Sequence, residues 1–338
     1  MEQGIRMATS RRTFLQGAAW MGLGAAVAKA ANSNVPKRPL GKSGIEVSIL
    51  GVGGFHLGSV EDQDTATKMV HAALDAGINF FDNAWEYHDG ESEARLGRAL
   101  AGRRQEAVVM TKVCTHGRDK KVAMQMLEES LRRLQTDHLD IWQIHEVIYE
   151  NDPQRIFRSG GAIEALADAK KQGKVRLVGF TGHKLPSIHM RMLDSNFPFD
   201  TVQMPLNPFD GSFRSFEQTV LPEANRRGIA VFGMKSLGGS GEMVKKGGVN
   251  VADALRYAMS LPVATTISGM DSPDVLAQNL EILANFTPMT AAEMHALRER
   301  CKIDAADGRM ELFKTTTMYD GDIGRQQHGF PSAEKLPA

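Results

Sequence analysis

Residues 79–90 combine an apolar strand with side chains that can move a proton. They read Asn-Phe-Phe-Asp-Asn-Ala-Trp-Glu-Tyr-His-Asp-Gly, with Asp82 at the end of the apolar run and Tyr87 five residues later. A phenol is a poor proton donor at neutral pH, because its reference pKa is about 10. A neighbouring cation lowers that pKa, and a carboxylate can hold the cation in place. The stretch therefore predicts that a lysine and a polar hydrogen-bond donor reach Tyr87 from elsewhere in the chain.

Two later strands supply candidates for both groups. Side chains alternate along a strand, and Lys112 and His145 end two further apolar runs on the face that Asp82 occupies in its own strand. An inward-facing charge is costly unless it is paired, which favours a shared site over three unrelated residues. Asp82 would hold Lys112, Lys112 would lower the pKa of Tyr87, and His145 would donate a hydrogen bond to a substrate oxygen. Such a set serves a carbonyl or alcohol, and the redox half then requires a hydride carrier.

These positions depend on a regular alternation of short apolar runs and amphipathic segments. Eight strands are predicted, at residues 47–51, 78–82, 107–112, 139–145, 175–180, 201–204, 229–232 and 264–267. Eight short strands alternating with helices predict an α/β fold, a (β/α)8 TIM barrel, with its active site at the C-terminal ends of the strands. The alternative is a doubly wound sheet, but no G-x-G-x-x-G follows the first strand.

The N-terminal 1–30 segment is predicted to be a twin-arginine signal peptide outside the fold. Ser10-Arg-Arg-Thr-Phe-Leu-Gln16 resembles the twin-arginine motif, residues 17–28 are apolar, and residues 28–30 form an A-x-A cleavage site. A membrane anchor is the alternative, but a stable span needs about 20 apolar residues. The expectation is a periplasmic protein that meets the twin-arginine export machinery and has no stable membrane span.

The remaining segments predict one barrel domain at 36–304, with a hairpin cap at 37–46 and a C-terminal tail at 305–338 that lies over one barrel face or is partly disordered. The 338 residues include 40 basic and 40 acidic side chains, so charge gives no reason to expect a nucleic-acid partner. Cys114 and Cys301 are expected to be free thiols, although an exported protein could pair them.

Several motifs taken together resemble the aldo-keto reductases over nearly all of residues 36–290. They are Arg38-Pro-Leu-Gly-Lys-Ser-Gly44, Gly51-Val-Gly-Gly54, Phe81-Asp-Asn-Ala-Trp-Glu-Tyr87, Gly90-Glu-Ser-Glu-Ala-Arg-Leu-Gly-Arg-Ala-Leu100, Met110-Thr-Lys112 and Leu139-Asp-Ile-Trp-Gln-Ile-His145. The resemblance implies hydride transfer between NADPH and an aldehyde or ketone. It also implies a catalytic tetrad of Asp82, Tyr87, Lys112 and His145, with Tyr87 as the proton donor.

At the cofactor contacts, the sequence matches the family pattern less closely. Thr181 replaces the family's serine after the fifth strand, Gly182 replaces its asparagine, and Met234 stands where many members have a tyrosine. The implied cofactor-binding residues are Gly53, Thr181, Gln203, Met234, Lys235, Ser236, Leu237, Gly238, Gln278 and Asn279.

The nucleotide itself is expected to be NADP, with NAD possible. Many NADP-preferring members place a lysine and an arginine on the ribose 2′-phosphate, since a phosphate is best held by such groups. Gly269 and Val275 occupy those places here, and Asp271 could suit NAD.

Other residues near the strand ends leave alternatives open. His56, His88, His116 and His183 follow strand ends and could form a metal site or an acidic-substrate pocket. Unrelated loop histidines are the preferred interpretation, and no metal is expected. Phe55 could wall a substrate pocket, and so could Trp85, although mere packing explains both equally well.

The leading prediction is an exported oxidoreductase that reduces a small carbonyl compound or runs the reverse reaction. A cofactor-sensing regulatory subunit is the alternative from another class, with residues 313–320 as a docking segment. An NAD-dependent sugar dehydrogenase is the alternative among enzymes.

Overall fold

The computed structural model describes residues 11–32, 35–113 and 118–322, together with positions 326 and 332; the side chains of residues 11–18 and 32 lie outside this description. Eight parallel strands form a closed barrel in which each strand pairs with the next and the last pairs with the first. They are β3 (Leu50–Gly53), β4 (Phe80–Asp82), β5 (Val108–Val113), β6 (Leu139–Ile144), β7 (Val175–Thr181), β8 (Thr201–Pro205), β9 (Ala230–Met234) and β10 (Thr265–Gly269). The predicted (β/α)8 TIM barrel is confirmed.

Helices surround the barrel, and most of them lie between consecutive strands. They are α1 (Arg11–Asn32), α2 (Gly54–Gly58), α3 (Gln63–Asp75), α4 (Glu91–Ala99), α5 (Lys120–Arg133), α6 (Asp152–Phe157), α7 (Ala162–Lys171), α8 (Pro186–Leu193), α9 (Phe216–Arg227), α10 (Glu242–Lys246), α11 (Val251–Ser260), α12 (Pro273–Ala284), α13 (Ala291–Ala305) and α14 (Leu312–Thr315). Local signals set several of their ends. The side chains of Asp62 and Asp119, for example, accept hydrogen bonds from the first turns of α3 and α5.

An antiparallel hairpin closes the N-terminal end of the barrel. Its strands are β1 (Lys37–Pro39) and β2 (Glu46–Ser48), and its side chains Leu40 and Val47 join the core inside the barrel. The predicted bounds of the first barrel strand, residues 47–51, were wrong at the N-terminal end. Residues 47 and 48 belong to β2, and the barrel strand β3 begins at Leu50. The chain turns between the two strands, where the Ser48 hydroxyl donates to the carbonyl of Leu50 at 2.7 Å.

Alternation inside the barrel places polar groups above an apolar floor. Phe80 packs against Phe232 in the interior, with ring centroids 5.0 Å apart. Each of the inward runs of β4 and β5 then changes from apolar to charged at its C-terminal end, where Asp82 and Lys112 lie. Burying these charges is costly unless they are paired, so the core and the site have to form together.

The N-terminal helix packs on the barrel. Leu23, Ala26 and Ala30 of α1 are buried against the barrel helices, and Lys29 forms a 2.8 Å ion pair with Glu281 of α12. Small side chains allow this close packing, because glycine and alanine make α1 narrow. The assignment of residues 1–30 to a signal peptide stays a prediction. No helix among the described residues is long and apolar enough to cross a membrane.

The described part of the C-terminal tail, residues 305–322, lies over the C-terminal mouth of the barrel. Phe313 is fully buried there, and Asp320 forms a 2.6 Å ion pair with Lys184. Cys301 is a buried free thiol, whereas Cys114 lies outside the described residues. The tail therefore contributes to the walls of the site at the mouth.

Candidate active site

The four residues of the predicted tetrad meet at the C-terminal mouth. Asp82 ends β4, Lys112 lies near the end of β5, and His145 directly follows β6. Tyr87 begins a short 3-10 turn above them, Tyr87–Gly90. Asp82, Lys112 and His145 are each at least nine-tenths buried, so three neighbouring strands hold three ionisable groups in a buried site.

Lys112 connects the carboxylate to the phenol. Its ammonium donates to Asp82 Oδ1, to the carbonyl of Asn83 at 2.7 Å and to Tyr87 Oη at 3.4 Å. Burial raises the pKa of Asp82, and the charge of Lys112 acts against that rise. A lysine fixed in this way favours the phenolate over the phenol, which makes Tyr87 a better proton donor. The geometry is the one that the spacing of the residues predicts.

Aromatic side chains hold the Tyr87 ring in place. Phe55 and His145 both pack edge to face against it, with centroids at 5.5 Å and 5.8 Å. His88 adopts a left-handed backbone conformation, with φ of 52°, and its Nε2 lies 2.7 Å from the carbonyl of Phe55. His88 therefore joins the 3-10 turn to α2. Phe55 is 53% exposed, and it remains the candidate for a substrate-pocket wall.

Glu86 is a member of the site that sequence reasoning missed. Its Oε1 lies in hydrogen-bond contact with His145 Nδ1. Burial raises the pKa of Glu86, but the charge of His145 and this hydrogen bond outweigh the rise, so that the net shift is downward. The available signal was an acidic residue directly before Tyr87 in an otherwise apolar and aromatic segment. Glu86 is therefore an ionised group that acts on His145.

A buried arginine supports the backbone beneath His145 and was also missed. The Arg118 guanidinium donates to the carbonyls of His145 at 2.8 Å and Glu146 at 2.6 Å. It also forms a 3.0 Å ion pair with Asp152, and neither side chain is exposed. Asp152 in turn accepts from two backbone amides of the same loop, those of Ile148 and Tyr149. This network fixes the position at which His145 leaves β6; no sequence motif announces it.

Two buried polar atoms fit a nicotinamide carboxamide. Thr181 Oγ1 and Gln203 Oε1 are both buried and have no hydrogen-bond partner among the described residues, and the two residues pair across β7 and β8. Buried polar atoms without partners are costly, so a ligand that bonds to both is expected. A side chain at Gly182 would place its Cβ 2.2 Å from the carbonyl of Val147, which explains why the family's asparagine is missing there.

The segment expected to hold the pyrophosphate is covered by the tail. The Lys235 ammonium lies 5.4 Å from the ring centroid of Phe313 and 4.9 Å from that of Tyr319, and burial lowers its pKa to about 8. Met234 lies below, with its sulfur 3.6 Å from Gln203 Nε2. The stretch continues through the buried Ser236 and Gly238, with the half-buried Leu237 between them. A pyrophosphate at Lys235 would have to share this surface with the tail.

The adenosine end departs further from the expected contacts. Asn279 accepts from the Ser268 hydroxyl at 2.9 Å and donates to the carbonyl of Val275 at 2.8 Å, so its amide already serves the fold. Gln278 is exposed. A Cβ at Gly269 would lie 2.3 Å from the ring of His56. The exposed side chain of Gln278 is therefore accessible to a nucleotide, whereas the amide of Asn279 already has partners in the protein. Gly53 pairs with Asp82 across β3 and β4.

The mouth histidines that the structure describes make different contacts. Burial lowers the pKa of His56 and sets that of His183 well below its usual value. The ring of His183 contacts the carbonyl of Phe313 in the tail at 2.9 Å. Trp85 donates to Glu129 at 2.7 Å, which is a packing role. His116 lies outside the described residues.

One group of donor atoms at the mouth has a spacing that could suit a metal ion. Atoms of Glu86, His145 and Glu146 lie within 4.8 Å of one another. These groups also have protein partners, since Glu86 contacts His145 and the Glu146 carboxylate accepts from the backbone amide of Gly321 at 3.0 Å. Burial raises the pKa of Glu146 to about 7. The contacts favour a hydrogen-bonded cluster.

Comparison with known proteins supports the resemblance to the aldo-keto reductases. The model of the Aldo/keto reductase family matches residues 49–246. The chain is 29% identical over 196 residues to the aldo-keto reductase YhdN of Bacillus subtilis, covering 54% of this chain and 56% of that protein. It is 33% identical over 219 residues to the L-galactose dehydrogenase of Arabidopsis thaliana, covering 61% and 66%.

A solved structure shares the fold over nearly its whole length. The holo form of an aldo-keto reductase from Bacillus halodurans superposes with a TM-score of 0.68 at 25% identity, over 82% of this chain and 99% of that one. The family model covers more than half of the chain and includes Asp82, Tyr87, Lys112 and His145. The chain belongs to the aldo/keto reductase family.

Proposed function

We propose that the protein is an NAD(P)H-dependent oxidoreductase that interconverts a small aldehyde or ketone and its alcohol, with Tyr87 as general acid and base. The observation that carries the proposal is the buried Lys112 ammonium, bonded to Asp82 and within 3.4 Å of the Tyr87 hydroxyl. A purely structural role gives little reason to place a charged pair beneath the phenol, because burying such a pair is costly.

Each side chain has a defined task in the reduction. A reduced nicotinamide held at its carboxamide by Thr181 and Gln203 would supply a hydride to the carbonyl carbon. Tyr87 gives its proton to the carbonyl oxygen, Lys112 stabilises the resulting phenolate, and Asp82 holds Lys112 in position. His145 binds the same oxygen from the other side, where negative charge develops in the transition state. Oxidation of an alcohol reverses these proton transfers.

The choice of nucleotide rests on the ribose end of the site. Resemblance to the family favours NADP, but the two positions that would meet a 2′-phosphate hold Gly269 and Val275, and the His56 ring covers Gly269. Burial lowers the pKa of His56, which keeps the ring neutral. A phosphate dianion gains little from neutral neighbours. We therefore propose that NAD binds at least as well as NADP.

The proposal predicts nucleotide oxidation that depends on a carbonyl substrate. Purified protein is expected to oxidise NADH in the presence of small aldehydes, followed by absorbance, and kcat/KM for NADH is expected to equal or exceed that for NADPH. A preference of tenfold or more for NADPH would contradict the assignment of NAD. If neither nucleotide is oxidised with any aldehyde or ketone, and neither is reduced with any alcohol, the enzyme assignment fails and a cofactor-sensing subunit becomes the better account.

Sugars are a second class of substrate that the comparisons support. One relative is named for oxidation of L-galactose, and an open-chain or cyclic sugar presents the carbonyl or alcohol that the tetrad needs. The polar lining of the mouth, with Glu146 and the tail beside it, suits a hydroxylated substrate better than an apolar one. Aldoses therefore belong in the assay in both directions.

Export through the twin-arginine route is proposed from the N-terminal motif. The support is Arg11 and Arg12 ahead of an apolar run and an A-x-A site. Ala30 is fully buried against the barrel, so cleavage after it requires α1 to leave its packing position. In a host with this export route, we expect the native chain in the periplasmic fraction and the R11K/R12K variant in the cytoplasm. A native chain found uncut in the cytoplasm would contradict the proposal.

A further inference from the structure

The carboxylate of Glu86 lies directly beside the tetrad. Glu86 Oε1 contacts His145 Nδ1, whereas Glu86 Oε2 is buried and has no hydrogen-bond partner among the described residues. A buried carboxylate oxygen without a partner costs stability. Glu86 immediately precedes Tyr87, so one turn of backbone positions both the proton donor and the group that contacts His145. The cost suggests a role in the reaction.

The contact at Nδ1 determines what the other ring nitrogen can do. A neutral imidazole carries one N–H, and an ionised carboxylate can only accept. The hydrogen bond with Glu86 therefore places the proton of a neutral His145 ring on Nδ1. Nε2 then holds a lone pair and cannot donate to a carbonyl oxygen. Only the doubly protonated ring can bond to Glu86 and to the substrate at the same time.

The charges around His145 decide whether that second proton is held. His145 is only 9% exposed, and burial disfavours a cation. Lys112 on β5 also disfavours it, as does Arg118 beneath the His145 backbone, although Arg118 is paired with Asp152. Asp82 on β4, Glu86 directly before the 3-10 turn and the neighbouring Glu146 favour it. Tyr87 is neutral as a phenol, and burial keeps His183 neutral.

Among these groups, Glu86 is the only acid among the described residues that contacts the imidazole directly. Glu146 uses its carboxylate on the backbone amide of Gly321 instead.

We propose that Glu86 is a positioning residue that keeps His145 doubly protonated, so that the substrate oxygen is held by an imidazolium. The inference deepens the proposed function and rests on it for the identity of that oxygen. The hydride still goes to the carbonyl carbon and the proton still comes from Tyr87. His145 keeps both of its protons throughout, and Glu86 accepts none. An imidazolium polarises the carbonyl more strongly than a neutral ring, because charge-assisted hydrogen bonds are stronger.

The direct test is the titration of His145 in the full-length protein, free of substrate. Nitrogen-15 NMR of histidine-labelled protein reports whether one or both ring nitrogens are protonated, and His145→Gln identifies the signals. In Glu86→Gln, which keeps an acceptor but removes the charge, we expect the titration midpoint to fall by about 1–3 pH units. Glu146→Gln is the matched control, and its expected shift is less than half as large.

Two outcomes would overturn the inference. One is a midpoint in Glu86→Gln that equals that of the native chain or moves no further than in Glu146→Gln. The other is a difference that disappears when EDTA is added, because a metal ion at Glu86, His145 and Glu146 would then be its cause. Circular dichroism confirms that each variant is folded, and NMR reads the ring directly, so the result does not depend on activity.

The pH profile of reduction separates this inference from the proposed function. The rate is expected to fall at high pH as His145 loses its second proton, and Glu86→Gln moves that fall to lower pH by the same amount as the NMR midpoint. A charged ring in a protein without any oxidoreductase activity would remove the proposed function and leave the inference about Glu86 standing. Conversely, an active enzyme whose pH profile is the same in Glu86→Gln as in the native chain would support the proposed function and overturn the inference about Glu86.

Discussion

Replacing Tyr87 with phenylalanine is expected to lower kcat for carbonyl reduction by about 10³-fold, within the usual range for loss of a general acid. The variant retains the ring that packs against Phe55 and His145 but loses the hydroxyl that lies 3.4 Å from the Lys112 ammonium. Nucleotide affinity is expected to stay within about twofold, because the atoms assigned to the carboxamide lie on β7 and β8. Steady-state kinetics with NADH and equilibrium binding followed by nucleotide fluorescence measure the two quantities.

Tyr149→Phe is the matched control for this substitution. Tyr149 also lies at the mouth, but its hydroxyl donates to Asp320 of the tail at 3.1 Å and takes no part in the tetrad. The control is expected to keep kcat within about threefold of the native value. If Tyr87→Phe keeps the native rate, or if Tyr149→Phe loses as much, Tyr87 is not the proton donor.

Replacing Lys112 with methionine is expected to remove both activity and stability. Methionine has nearly the same length but carries no charge, so Tyr87 loses the cation that favours its phenolate. Asp82 is left buried without its main partner. Breaking a buried ion pair in this way costs about 3–5 kcal/mol, and the loss of activity is expected to exceed about 10²-fold. Urea denaturation measures the free energy of unfolding, and NADH oxidation measures the rate.

A double variant separates the two effects of Lys112. Asp82→Asn combined with Lys112→Met removes the buried charge that the single change exposes, so much of the lost stability is expected to return. Activity is not expected to return with it, because the phenol still lacks its cation. A double variant as unstable as Lys112→Met would show that the pair does not account for the loss. Recovered activity would contradict the role of Lys112 at Tyr87.

The barrel and the tetrad were readable from the sequence because both depend on simple periodicity. Side chains alternate along each strand, and parallel strands in a barrel bring their C-terminal ends together. Asp82 and Lys112 therefore had to meet once the strands were found. The cross-strand register shows why the two side chains meet. Asp82 pairs with Met110, and Met110 lies two residues before Lys112 on the same face of β5.

Contacts made by loops were not readable, because they depend on backbone conformations that the residue types do not announce. Arg118 and Glu146 both adopt left-handed conformations, with φ of 56° and 51°. Non-glycine residues rarely do so, and no pattern foretold that Arg118 would reach the carbonyl of His145. The Glu86 contact has the same origin, since it depends on the turn that carries Tyr87.

Packing of helix α1 on the barrel could not be predicted from the sequence either, for a different reason. The apolar run of α1 looks the same in sequence whether it is removed or packs on a barrel, and nothing local distinguishes the two. Helix α8 carries only a weak signal in the sequence, because it is short and begins at Pro186, a residue that marks a turn as often as a first helical position. The tail contacts with Lys235 join distant parts of the chain and could be seen only in the folded protein.

Transfer of an isotope from nucleotide to product tests the central claim most directly. NADH deuterated at C4 is mixed with the enzyme and a small aldehyde, and the alcohol is analysed by mass spectrometry and NMR. The account predicts one deuterium on the carbinol carbon from one of the two C4 stereoisomers and none from the other, with the hydroxyl proton coming from solvent through Tyr87. An alcohol that carries no deuterium from either isomer would contradict direct hydride transfer at this site.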